Sequence, residues 1–116
     1  MTSKSRPDRP LRIDLHGAFL RRATLMDANF ARANMSLTDC SRADFTRAIL
    51  VDANFTGALL VHANFTDANL ERTILIGADL RGANLASAKN LTREQITSAI
   101  TDATTILPAG LAVEPA

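Results

Sequence analysis

The sequence predicts an all-β solenoid, a chain wound in stacked four-sided coils and closed at its C-terminal end by a short helix. Three observations predict it. Apolar residues recur every five positions without a break from Leu15 to Leu85. A small residue stands two places before nearly every one of them. Where this period fades, residues 91–108 carry a helix-start signature instead.

The apolar centres are Leu15, Leu20, Leu25, Phe30, Met35, Cys40, Phe45, Leu50, Phe55, Leu60, Phe65, Leu70, Leu75, Leu80 and Leu85. The residue two places earlier is alanine throughout, except Ile13, Thr38 and Thr73. A further copy at Ala88-Lys89-Asn90 is degenerate. On an α-helix five residues turn about 500°, so successive centres would spread around the whole surface. On a strand a period of five flips the face at every repeat. Neither element buries this pattern. A square coil does, if each five-residue unit forms one side and sends its centre and its small residue inward. Residues twenty apart then sit one above another, about 4.8 Å apart.

The copies ADF at 43–45, ANF at 53–55 and 63–65, ANL at 68–70 and 83–85, and ADL at 78–80 carry a resemblance. The chain resembles the pentapeptide-repeat family, whose motif is A(D/N)LXX, over roughly residues 11–108. The resemblance implies a right-handed quadrilateral β-helix, of about four coils here. It also implies a bacterial origin and, for most members, no known biochemical activity. A minority of the family bind DNA gyrase and protect it from drugs.

The stacking columns make internal sense. Leu15, Met35, Phe55 and Leu75 form the first, and Leu20, Cys40, Leu60 and Leu80 the second. Leu25, Phe45, Phe65 and Leu85 form the third, and Phe30, Leu50, Leu70 and Asn90 the fourth. Phe45 and Phe65 are adjacent in theirs, where an aromatic pair adds about 0.5–1.5 kcal/mol beyond burial. With 47% apolar but only 4% aromatic residues, and no Trp or Tyr, the core must be built from small and medium side chains. Cys40 is expected to be one of these, an inert buried thiol.

Outward positions supply the candidate sites. Asp27, Arg47 and Asp67 fall in one column, and Arg32, Asp52 and Arg72 in the next, so opposite charges lie one coil apart. Arg22, Arg42 and His62 line another column, with Arg21 and Arg81 beside it. Arg21, Arg22, Arg42 and Arg81 are therefore a candidate basic edge. It lacks the aromatic interleaving of a nucleic-acid surface. The residue before each centre is usually Asp or Asn, types that bond nearby backbone and favour turns. Phe19, Ile49, Leu59 and Ile74 break that rule. Three of them come with a second apolar residue, giving Ile49 with Val51, Leu59 with Val61 and Ile74 with Ile76. Phe19 and these three pairs are the candidate interface, because exposed apolar patches often mark one.

A solenoid must cover its terminal coils. Thr92 and Gln95 form a capping box, and Leu91 and Ile96 occupy staple positions around it. Ile96, Ala99 and Ile100 share one helix face. A helix over about 93–101 is expected to lie across the last coil as a lid. The predicted organisation is a disordered segment at 1–10, the solenoid at 11–90, the capping helix and turn at 91–108, and a flexible tail at 109–116, with Pro108 ending the ordered part. The first coil lacks an evident lid, and a homodimer through that end is expected.

The functional classes narrow by exclusion. A single cysteine allows no internal disulfide. The basic N-terminus is followed by no apolar signal region, and no stretch suits a membrane helix, so a cytoplasmic location is expected. There is no Gly-rich phosphate loop and no HExxH motif. A Ser/His/Asp arrangement can be drawn only from outward residues such as Ser36 or Ser41, on a prism with no cleft. No enzyme, cofactor or metal site is expected. The main expectation is a structural or protein-interaction module with a rigid prism surface and an unknown protein partner. The first alternative is a gyrase-binding DNA mimic, but residues 11–90 hold eight carboxylates against nine bases, which does not imitate phosphate. The second is weak nucleic-acid binding through the arginine edge, against which the net charge of +1 argues.

Overall fold

The computed structural model describes residues 12–111. The segment expected to be disordered at 1–10, and residues 112–116 of the expected tail, lie outside these.

Each five-residue unit forms one side of a coil and the corner that follows it. Four parallel ladders run along the molecule, and within the solenoid every rung joins residues twenty apart. Side one stacks Asp14, Asn34, Asn54 and Ile74. Side two stacks Phe19, Asp39, Leu59 and Asp79, and side three Thr24, Asp44, Asn64 and Asn84. Side four stacks Asn29, Ile49, Asn69 and Lys89. Each rung is the same pair of bonds. Asn34 N–H donates to the Ile13 carbonyl at 2.8 Å, and Leu15 N–H donates to the Asn34 carbonyl at 2.8 Å.

A corner closes when the amide three residues after a centre donates back to the centre's carbonyl, as Ala18 does to Leu15 at 2.9 Å. That turn needs a positive φ at its third residue. Gly57 meets the need with φ of 67°. Most corners hold other residues there, among them Arg22, Asp27, Arg42 and Arg72, with φ between 55° and 62°. A left-handed conformation costs the arginines roughly 1–2 kcal/mol each. The ladders on both flanks over-determine the backbone and hold it there.

Inside, the small residues and centres from Ala33 to Leu85 are fully buried in one continuous cluster. Phe45 and Phe65 stack with centroids 5.1 Å apart and planes 4° apart. Phe55 meets Phe45 edge-on at 5.7 Å. Thr38 and Thr73 replace alanine at no polar cost, because their hydroxyls donate to the Met35 and Leu50 carbonyls at 2.8 and 2.7 Å.

The C-terminal helix is shorter than the expected 93–101. The helix α1 covers Arg93–Ser98 only and opens with the Thr92–Gln95 capping box. It takes the place of side one in a fifth layer. Gln95 donates its side-chain amide to the Leu70 and Thr73 carbonyls at 2.8 and 2.9 Å, and Ile96 is buried beneath it. The helix stops three residues short because Ile100 is drawn into side two, where it pairs with Asp79. Ala99 turns extended to deliver it, with φ of −97° and ψ of 172°. Ile106 then pairs with Asn84 on side three. Ordered contacts continue past Pro108, since Arg93 donates to the Gly110 carbonyl at 3.2 Å.

Candidate functional site

The solenoid distributes the candidate interface over three sides. Ile49 and Val51 lie on side four and its corner, Leu59 and Val61 on side two and its corner, and Ile74 and Ile76 on side one and its corner. Phe19 shares side two with Leu59, two coils away. The three pairs do not meet.

Their pairing has a local cause. In most repeats the Asp or Asn before the centre accepts a bond from the amide two residues on, as Asn34 does from Ser36, Asp44 from Thr46 and Asn64 from Thr66. The Ser or Thr hydroxyl donates to the same oxygen, at 2.6 Å for Ser36 and for Thr56. Ile49, Leu59 and Ile74 offer no such acceptor. There the residue two on is Val51, Val61 or Ile76, and an outward apolar pair replaces an outward hydrogen-bonded pair.

Charge pairing along the corners is selective. Arg47 grips Asp27 with two bonds of 2.7 and 2.9 Å, and Arg72 grips Asp52 with two of 2.8 and 3.0 Å. These bonds hold both carboxyls below the usual range. The basic edge is interrupted in the same way. Arg81 wraps Asp79 with bonds of 2.9 and 2.6 Å, and Arg21 reaches Asp39 at 3.5 Å. The Arg81 bond pulls the Asp79 carboxyl down. At Asp39 burial pushes upward, but bonds from Ser41 and the Arg21 charge leave it lowered. Arg22 and Arg42 remain at one corner, each without an ion-pair partner among the described residues.

His16 Nδ1 lies 2.7 Å from Ser36 Oγ, but the Ser36 hydroxyl donates to Asn34. The imidazole is therefore the donor to Ser36, the reverse of a general base. Cys40 is buried, and burial pushes its thiol up to about 11. Among the described residues no group of His, Cys, Asp and Glu side chains could hold a metal ion. An open groove of about 540 Å³ runs along side one between Arg12, Arg32, Asp52 and Ile74.

Two further features bear on the site. The first is the corner between sides one and two. It carries Gly17, Gly57 and Gly77 with one leucine, Leu37, at φ of 58° and 59% exposed. Leu37 leans so far over Gly57 that a Cβ there would sit 2.8 Å from its methyl group. Likewise, a Cβ at Gly82 would overlap the His62 ring. Four of the five glycines at this one place in the unit were the available signal. The second is the state of the first coil. Leu15, Leu20, Leu25 and Phe30 are only partly buried, and Phe19 beside them is 88% exposed.

A family model for pentapeptide repeats matches the chain in eight copies, over residues 12–39, 23–60, 38–75 and 63–93. Among solved structures, the chain is similar to a pentapeptide repeat protein from the thylakoid lumen of Arabidopsis thaliana. The identity is 28% and the TM-score 0.63, over 65% of this chain and 52% of that one. The chain thus spans about half the length of that protein. It is also similar to a pentapeptide repeat protein from the cyanobacterium Cyanothece 51142, at 27% identity and a TM-score of 0.43, over 86% of this chain and 67% of that one. A third, from Nostoc Pcc 7120, is 30% identical with a TM-score of 0.43, over 85% of this chain and 77% of that one. No curated protein matches the chain.

Proposed function

Because the chain belongs to the pentapeptide-repeat family, we infer that it is a non-catalytic structural or protein-interaction module whose walls form a rigid display surface. In this reading the fold is the right-handed quadrilateral β-helix of about four coils, with residues 91–108 as its cap, and the protein works in the cytoplasm. One observation carries it. Many polar groups on the walls are committed to one another through ladders, Asx bonds and ion pairs, as at Asp27, Asp52 and Asp79. Among the described residues no buried side-chain nitrogen or oxygen is left without a partner. In this reading the surface presents a shape rather than bond-making chemistry.

The test is wall-specific photocrosslinking in the source cells. A photoreactive residue replaces Asn54, Leu59, Asn64 or Asn69, one on each side. The reading expects a discrete adduct from one wall and none from the opposite wall. The absence of any wall-specific adduct would count against a display role. Gyrase-directed DNA mimicry is disfavoured by the arginines that neutralise Asp27, Asp52 and Asp79. A supercoiling assay at micromolar protein should show no inhibition, and dose-dependent inhibition would reverse that judgement.

A further inference from the structure

We propose that the N-terminal end of the solenoid is a self-association surface, on which a second copy stacks head to head about a two-fold axis through sides two and four. The proposal deepens the interaction-module reading and rests on it. It starts from the edge of the first coil. Ile13 C=O and Leu15 N–H are both used by Asn34 in the coil above. The same holds for Ala18 and Leu20 with Asp39, for Ala23 and Leu25 with Asp44, and for Ala28 and Phe30 with Ile49. The intervening residues, Asp14, Phe19, Thr24 and Asn29, therefore aim their own N–H and C=O away from the solenoid. None of these eight groups has a backbone partner among the described residues.

One N–H and one C=O from a single residue are what each member of a hydrogen-bonded antiparallel pair exchanges. The partner that supplies four such residues in the same square is another N-terminal end. Two ends facing across a two-fold axis run antiparallel on every side. The opposite end of a second copy cannot take this place, because α1 and the strands at Ile100 and Ile106 occupy it. Assembly therefore closes at two copies, an isologous dimer.

Side-chain chemistry selects the axis. An axis through sides one and three sets Asp14 against Asp14 of the second copy, and like charges directly opposite are unfavourable. An axis through opposite corners sets Phe19 against Asp14 or Thr24. The axis through sides two and four pairs Phe19 with Phe19, Asn29 with Asn29, and Asp14 with the Thr24 hydroxyl. It is the arrangement that gives the exposed Phe19 ring an aromatic partner. It also covers the half-buried Leu15, Leu20, Leu25 and Phe30.

The experiment uses the full chain. Phe19→Cys and Leu59→Cys are oxidised with diamide, the native Cys40 being buried and out of reach. Hydrogen-bonded antiparallel partners have Cα atoms about 5.5 Å apart, within disulfide range. The proposal expects a linked dimer from Phe19→Cys and none from Leu59→Cys. In sedimentation, the wild type should dissociate on dilution. Phe19→Asp should raise the dissociation constant at least tenfold with an unchanged β signal, while Leu59→Asp leaves it in place. If Phe19→Asp fails to fold, the cysteine result decides. A wild type that stays monomeric at high concentration overturns the dimer and leaves the display reading standing. Linking through Leu59→Cys as fast as through Phe19→Cys overturns the end-on geometry in favour of wall-to-wall pairing. Neither result depends on whether a wall-specific adduct is found in cells.

Discussion

Leu15 and Leu75 occupy the same column of the same side, at opposite ends of the solenoid. Leu75 is fully buried, whereas Leu15 is only partly covered. Both have the same place in the repeat, so the repeat alone does not bury its centre. Burial comes from the layer above and the layer below. Leu75 has α1 over it, with Gln95 pinning that helix to the Leu70 and Thr73 carbonyls. Leu15 has a neighbour on one side among the described residues. A solenoid is stable to the extent that each unit is sandwiched, which makes its ends the places where identical units differ in energy.

The largest expected effect lies between the ends. Phe45→Asp puts an unpaired charge between Phe55 and Phe65 in the closed core. The penalty of several kcal/mol is comparable to the whole stability of a small domain. Far-ultraviolet circular dichroism should lose its β signal and its cooperative melt. Next comes the direct comparison of ends. Leu75→Ala should cost about 3 kcal/mol in urea unfolding, as for a sealed core leucine. Leu15→Ala should cost well under half of that, because water already reaches its side chain. Equal costs would mean that the first coil is as sealed as the last.

Acid unfolding sharpens the same contrast. Asp27 near the open end and Asp79 near the closed end both have carboxyls held below their ordinary value of 3.8 by hydrogen bonds from Arg47 and Arg81. A depressed folded value contributes stability that is present above the unfolded value and lost as pH falls through the folded one. The protein should therefore weaken as pH drops below about 4. The Asp79 side chain is 9% exposed and that of Asp27 61%. Asp79→Asn should flatten the acid limb of a stability-versus-pH curve more than Asp27→Asn does. The smallest effect concerns Leu37, an exposed leucine in a left-handed corner of the second coil. Leu37→Asn should stabilise by about 0.5 kcal/mol, since Asn tolerates that conformation better. A destabilisation would show that its contact over Gly57 outweighs the strain.

Much of this architecture was legible because a period of five has one way to bury its centres. The column containing Phe45 and Phe65, the Asx positions and the Thr92–Gln95 capping box all follow from spacing. Other features were hidden for physical reasons. Arginine and leucine carry no propensity for a left-handed corner, and only the glycines at 17, 57, 77 and 82 and the aspartates at 27, 52 and 67 pointed to one. Ile100 shares helix spacing with Ile96, yet the ladder bonds at Asp79 claim it, a tertiary override of local preference. The twenty-residue spacing already set the apolar pairs at 49/51, 59/61 and 74/76 on different sides, and their shared pattern rather than a shared wall is what made them a candidate interface. The interruption of the arginine edge depended on Arg81 turning back onto Asp79 within its own unit, which no column of residues reveals.

The claim on which everything rests is the vertical register, twenty residues per coil, lengthening at the cap. Nuclear Overhauser contacts between backbone protons of a uniformly labelled sample test it most directly. The account predicts contacts linking Asp44 to Asn64, Asn34 to Asn54 and Leu59 to Asp79, with offsets of twenty-one and twenty-two residues at Asp79 to Ile100 and Asn84 to Ile106. Sequential contacts at three and four residues throughout 15–85, with none at twenty, would contradict it.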